Sequence, residues 1–220
     1  MLYIVSTPIG NLEDITFRAV RTLKEADLIA AEDTRHSQIL LKKYEITTHA
    51  TSFHSYSDTR KLEYIVDELK AGKNVALISD AGTPGISDPA YALVRRAIEE
   101  GIKVVPIPGA SSLLTALVAS GMPMDKFLYL GFLPLKKGRQ TLLKSLENEE
   151  RTLVIFESPH RIERTLKDLL QYLGDREIAV CRELTKVFEE IIRENISETI
   201  KHFEQKKPKG EFVLVVKGSR

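Results

Sequence analysis

At 220 residues, 43% of them hydrophobic, the chain is long enough to bury one large core or two small ones. A formal net charge of +1 excludes a protein that binds polyanions through overall charge, so any such binding must come from local basic clusters. The single cysteine, Cys181, excludes an internal disulfide and a cysteine-rich zinc site.

Apolar stretches of strand length alternate with helical periodicity along almost the whole chain, which predicts an α/β architecture with mainly parallel pairing in the first half. A strand is expected over residues 2–6, a helix over about 17–26, a second strand over 28–31 and a basic helix over about 37–44. Leu62, Ile65, Val66 and Leu69 mark one face of the next helix. A strand over 75–79, a helix over 89–100 carrying Leu93, Val94, Ala97 and Ile98, and a strand over 104–107 follow, with Gly101 as the helix stop. Asp88 suits the cap of a helix that begins at Pro89.

Pro106-Ile107-Pro108-Gly109 interrupts this pattern near mid-chain and divides it into an N-terminal α/β domain, 1–108, and a C-terminal α/β domain, 109–220. Ser111 or Ser112 can cap a helix through Ala119, and strands are expected over 127–131 and 152–156. Ile162, Leu166, Leu169 and Leu173 trace a helical stripe before further strands over 177–181 and 212–216. The halves resemble each other in alternating strand and helix, and two such domains facing each other would form a cleft. No charged leader opens the chain, and its longest nearly apolar stretch, 113–119, is far too short to span a bilayer, so a cytoplasmic protein with no membrane partner is expected.

The chemistry gathers in loops at the ends of candidate strands, where open parallel sheets place ligands. They are Ser6-Thr7-Pro8-Ile9-Gly10-Asn11, Ala31-Glu32-Asp33-Thr34-Arg35-His36, residues 79–89, Pro108-Gly109-Ala110-Ser111-Ser112 and Phe156-Glu157-Ser158-Pro159-His160-Arg161. The third is densest: Asp80-Ala81-Gly82-Thr83-Pro84-Gly85 combines close-approach glycines, stiffening prolines and a carboxylate beyond what a plain connection needs. Among the basic clusters, Lys136-Lys137-Gly138-Arg139 and Lys206-Lys207-Pro208-Lys209 carry loop-forming glycine and proline and are the better phosphate-binding candidates. Signatures of dinucleotide, P-loop, zinc-protease and serine-hydrolase sites are missing.

Taken together, the five loops resemble the RsmI family, 16S rRNA ribose 2'-O-methyltransferases of the tetrapyrrole methylase type, over residues 2–217. Ala90 stands where many relatives have glycine, and the chain ends soon after Lys217, where many carry a further segment that would affect RNA contact. The resemblance implies a two-domain, class III methyltransferase fold and a homodimer, with S-adenosylmethionine in the cleft between the domains. Its substrate would be 16S rRNA or the small ribosomal subunit, methylated at cytidine 1402 of the decoding centre. Asp80, Gly82 and Thr83 suit the cofactor's polar edges, Phe156 offers an apolar surface, and Ser111 with Ser112 suits its carboxylate. Pro8, Gly210 and Glu211 match other cofactor positions of the family.

No metal is required for transfer from a sulfonium, and the proton of the hydroxyl needs an acceptor, for which Asp33, Glu157 and His160 are the candidates. Arg35 and Arg161 suit phosphate placement or the orienting of those carboxylates, and Lys136, Lys137 and Arg139 complete the RNA-contact set. Two other readings stay open at this point: a tetrapyrrole (precorrin-type) small-molecule methyltransferase of the same fold, and a non-catalytic RNA-binding module.

Overall fold

The computed structural model describes residues 1–54, 59–88, 90–205 and 208–220. The chain folds as two compact units, Met1–Ser111 and Ser112–Arg220.

Unit 1 is a five-stranded, all-parallel sheet in the order β3-β2-β4-β1-β5, made of β1 (Leu2–Val5), β2 (Leu28–Ala31), β3 (Ala50–Ser52), β4 (Val75–Ile78) and β5 (Val104–Ile107). The connecting helices are α1 (Phe17–Glu25), α2 (Thr34–Lys43), α3 (Thr59–Lys70) and α4 (Ala90–Glu99). β2 and β4 are buried at every residue, because helices cover both faces of the sheet. Leu2, Leu77, Ile65 and Leu93 form the core on the side of α3 and α4, while Val5, Ile78, Leu23 and Leu41 form it on the side of α1 and α2. Register places Leu2 beside both Val75 and Val104, so the carboxyl ends of β1, β4 and β5 open in line.

Unit 2 differs. Its strands are β6 (Phe127–Phe132), β7 (Thr152–Glu157), β8 (Glu177–Arg182), β9 (Glu190–Asn195) and β10 (Phe212–Val216), in the order β6-β7-β10-β8-β9. Only β6 and β7 pair in parallel; the other three pairs are antiparallel. One face packs Leu153, Ile155, Ile178, Val180 and Leu214 under α6 (Arg139–Ser145), α7 (Ile162–Leu173) and α8 (Ile196–Gln205). α5 (Ser112–Ser120) packs on β8 and β10.

The expected likeness of the halves therefore fails at the level of pairing, since β8 and β9 form a hairpin instead of two strands joined by a helix. The helix expected over 37–44 begins at Thr34, because Asp33 caps it by accepting from Arg35 N at 2.8 Å. β3, β9, α6 and α8 escape the periodicity reading altogether. Pro89, proposed as a helix start, and Lys206-Lys207 lie outside the described residues, although Asp88 Oδ1 does accept from Ala90 N at 2.9 Å.

Candidate active site

Four of the five loops leave adjacent strands of unit 1 at their carboxyl ends, the last of them ending at Ser112, the first residue of α5. Thr7 and Gly82 form an isolated two-hydrogen-bond bridge, Thr7 N to Gly82 O at 2.9 Å and Gly82 N to Thr7 O at 3.1 Å. Thr83 Oγ1 donates to Ala110 O at 3.2 Å, and since a hydroxyl has one proton, Ser6 Oγ must be the donor in the 3.0 Å contact with Thr83 Oγ1. Glycine is required at 109: a Cβ there would stand 2.9 Å from Ser6 Cβ. The loops after β1, β4 and β5 are thereby stitched into one surface, with Pro8 buried beneath it. The polar groups of Gly82 and the hydroxyl of Thr83 hold loops together, so these residues shape the surface more than they offer hydrogen bonds to a ligand.

The loop after β2 joins by a reciprocal latch. Asp80 N donates to Glu32 Oε2 at 3.2 Å, and Asp33 N donates to Asp80 Oδ1 at 3.0 Å. Asp80 Oδ2 has no hydrogen-bond partner among the described residues and is an acceptor left at this surface. Burial pushes the Glu32 carboxyl above its usual range; the Asp80 N–H opposes this, while the Asp80 and Asp88 carboxylates add to it and His36 weighs against. Asp33 goes the other way. The Arg35 guanidinium and backbone N–H hold it down to about 2. Arg35 itself grips Asp33 through Nε and Nη2, at 3.2 and 2.9 Å, yet its side chain is 91% exposed.

The fifth loop, in unit 2, is built on a buried polar network. Glu157 is 2% exposed and accepts from Thr165 Oγ1 at 2.6 Å and Ser158 N at 2.8 Å, with Arg161 Nε at 3.3 Å. Arg161 Nη2 also donates to Leu133 O. Arg139, 3% exposed, donates to Asp168 at 2.7 Å, Thr165 Oγ1 at 2.9 Å and Pro134 O at 3.2 Å. Two expectations are corrected here: Arg139 is not an exposed loop cation, and Glu157 is buried and held by Thr165 and Ser158, away from a substrate proton. Of its two expected roles Arg161 takes the orienting of a carboxylate, that of Glu157. Lys136 and Lys137 are exposed as expected, and so is His160.

The other predicted positions fall in separate places. Phe156 is half-buried and stacks edge-on with Tyr129 and Phe132, at 5.2 and 5.8 Å between ring centroids. Ser111 precedes α5 and Ser112 begins it, both half-exposed. Gly210 (φ +92°) backs onto Glu183 so closely that a Cβ would lie 2.5 Å from its side chain. Glu211 is exposed, with its N–H on Glu183 Oε1 at 2.9 Å and its carboxylate on Lys186 at 2.8 Å. Glu32, outside the proton-acceptor candidates that the sequence suggests, also lies at this edge, directly ahead of Asp33 at the end of a buried strand.

The model of the family described as Tetrapyrrole (Corrin/Porphyrin) Methylases matches residues 1–200. The chain belongs to this family. As a tetrapyrrole methylase it is 52% identical over 217 residues to ribosomal RNA small subunit methyltransferase I of Thermotoga maritima, covering 99% of this chain and 98% of that protein. It is 50% identical over 219 residues to the protein of the same name from Halalkalibacterium halodurans, covering 99% and 76%. Solved tetrapyrrole methylase-like structures share the fold at low identity. A diphthine synthase matches with a TM-score of 0.77 at 16% identity, covering 99% of this chain and 89% of that chain. Uroporphyrin-III-C-methyltransferase from Thermus thermophilus matches with a TM-score of 0.70 at 18%, covering 99% and 94%.

Proposed function

We propose that this tetrapyrrole methylase transfers a methyl group from S-adenosylmethionine to the ribose 2'-hydroxyl of the decoding-centre cytidine in small-subunit rRNA, acting as a homodimer. The observation that carries the reading is identity of 50–52% over 99% of the chain with proteins named ribosomal RNA small subunit methyltransferase I. The stitched loops of unit 1 fit the cofactor. Asp80 Oδ2 is an acceptor for a ribose hydroxyl, Pro8, Gly82 and Thr83 shape the wall, and the Ser111 hydroxyl at the end of the loop after β5 suits a carboxylate.

The cofactor supplies a methyl already activated by a sulfonium, which leaves the chain to align the hydroxyl, exclude water and accept one proton. Of the strand-end carboxylates, Asp33 is too weak a base because Arg35 holds it down to about 2, and Glu157 is buried and tied to Thr165. Glu32, raised by burial and held by the Asp80 N–H, is the proton acceptor in this reading. Arg35, fully charged and exposed on the same loop, places the RNA backbone.

The test is to incubate purified protein with methyl-labelled cofactor and either small ribosomal subunits or a tetrapyrrole precursor. Label is expected on RNA, with one phosphodiester made resistant to alkali, because a 2'-O-methyl group removes the hydroxyl that attacks the adjacent phosphate. Label on a nucleobase or only on the tetrapyrrole overturns the reading, and sedimentation tests the dimer.

A further inference from the structure

In unit 2, β7 ends where β10 begins, Glu157 lying beside Phe212 in the antiparallel register. Just beyond that point is an open recess of about 620 Å³, walled by Pro159 and Pro208 and lined by His160, Glu163, Arg164 and Lys209. It lies outside the buried Glu157–Thr165–Arg139 network, and its polar side chains are exposed.

The cations here are available. Arg164 is 63% exposed, and its only ion pair among the described residues is a long one, 3.8 Å to Asp168 Oδ2. That oxygen is already held by the buried Arg139 at 2.7 Å. The Lys209 side chain has no ion pair among the described residues, while its backbone carbonyl is fixed by Arg182 Nε at 2.6 Å. The recess is thus a positioned one: one wall is the first turn of α7, the other a strand entry tied to β8.

Charge selects the ligand class. Arg164 and Lys209 contribute two positive charges and Glu163 removes one, so these three side chains together carry +1. This balances a phosphodiester, which bears one negative charge, better than a terminal phosphate, which bears close to two. We infer that the recess takes one backbone phosphodiester of the RNA substrate, with Arg164 and Lys209 as the phosphate contacts, His160 as a donor beside them and Glu163 as a restraint on affinity. The inference rests on the rRNA reading above and names where the strand is held on unit 2.

The test compares wild type, the double variant Arg164→Gln/Lys209→Gln and Glu163→Gln for methylation of small ribosomal subunits and for RNA binding across a salt series. The double variant should raise KM roughly tenfold or more with kcat and S-adenosylmethionine affinity unchanged. It should also flatten the slope of log affinity against log salt by about 0.7, the value for one single-strand phosphate that is no longer neutralised. Glu163→Gln should lower KM several-fold, a gain that misfolding cannot produce. If wild type labels RNA while neither substitution moves KM or the salt slope, the recess is not a phosphate site and the rRNA reading stands. If wild type does not label RNA at all, the rRNA reading falls and this inference falls with it.

Discussion

Two loops of this protein share a glutamate followed by an arginine and differ in physical state. Glu32-Asp33-Thr34-Arg35 and Glu157-Ser158-Pro159-His160-Arg161 each follow a buried strand, each carry a glutamate and an arginine, and each lead into a helix. In the first, both acids are half-exposed and the Arg35 side chain is 91% exposed. In the second, the Glu157 side chain is fully buried and the Arg161 side chain only 22% exposed. The difference comes from what stands behind each loop. Thr165 reaches Glu157 from α7 and is itself held by Arg139 of α6, whereas among the described residues the Glu32 carboxylate accepts a hydrogen bond only from Asp80 N. A carboxylate–arginine motif at a strand end is therefore a structural tie when a helix supplies buried partners, and an exposed edge when none arrives.

Arg139→Ala carries the largest expected effect. If the network is a structural tie, the change strands Thr165 and Asp168 around a side chain that was 3% exposed, at a cost of about 3–5 kcal/mol in urea unfolding. An Arg139→Ala protein of normal stability but weakened RNA binding would restore the surface role read from the sequence.

That misreading shows what was legible. The parallel order of unit 1 follows from short, wholly apolar strands such as Val75–Ile78 alternating with amphipathic helices, and both signals are local. β9 is an edge strand with half-exposed and exposed positions only, so Glu190–Asn195 shows too few apolar residues to register, and β3, Ala50–Ser52, is shorter still. Within the site, the loops were legible because glycine, proline and carboxylates cluster there. The burial of Arg139 was not, because it depends on Thr165, twenty-six residues away, turning toward it from the apolar face of α7. A threonine among Ile162, Leu166 and Leu169 was the one hint that a polar partner had to come from elsewhere.

Glu32→Gln tests the exposed side. Removing a proton acceptor should lower kcat by about a hundredfold, with cofactor affinity little changed. The sign for stability is opposite to that of a tie. A carboxyl raised in the folded state contributes stability at low pH that is lost as pH rises through its folded value, so glutamine should leave the protein at least as stable at pH 7. In wild type, kcat should fall on acidification from a higher pH than an ordinary carboxylate would give. A Glu32→Gln enzyme of full activity removes Glu32 as the acceptor.

The two arginines separate next. Arg161→Ala should cost about 1–3 kcal/mol, because the buried Glu157 and Leu133 O lose a donor. Arg35→Ala should leave the unfolding midpoint almost unmoved and flatten the RNA salt slope by about 0.7. Thermal melts and binding across salt read both. If Arg35→Ala melts early while Arg161→Ala loses only RNA affinity, the two loops have been assigned the wrong way round.

The smallest effect falls within the open loop, on an exposed carboxylate. Asp33 caps α2 and is gripped by Arg35, which together hold it down from 3.8 to about 2. A depressed carboxyl contributes stability that is fully present above its unfolded value and drains away as pH falls through its folded one. Asparagine caps a helix about as well as aspartate but carries no charge for Arg35, so Asp33→Asn isolates the electrostatic part. The urea midpoints of wild type and Asp33→Asn should differ slightly at pH 6, hold that difference down to about pH 4, and converge as pH approaches 2. High salt should shrink the gap as well, because the pair is exposed. A gap that is independent of pH over this range would mean that Asp33 acts only as a neutral cap, and that the Arg35 guanidinium is free for a phosphate even before RNA arrives.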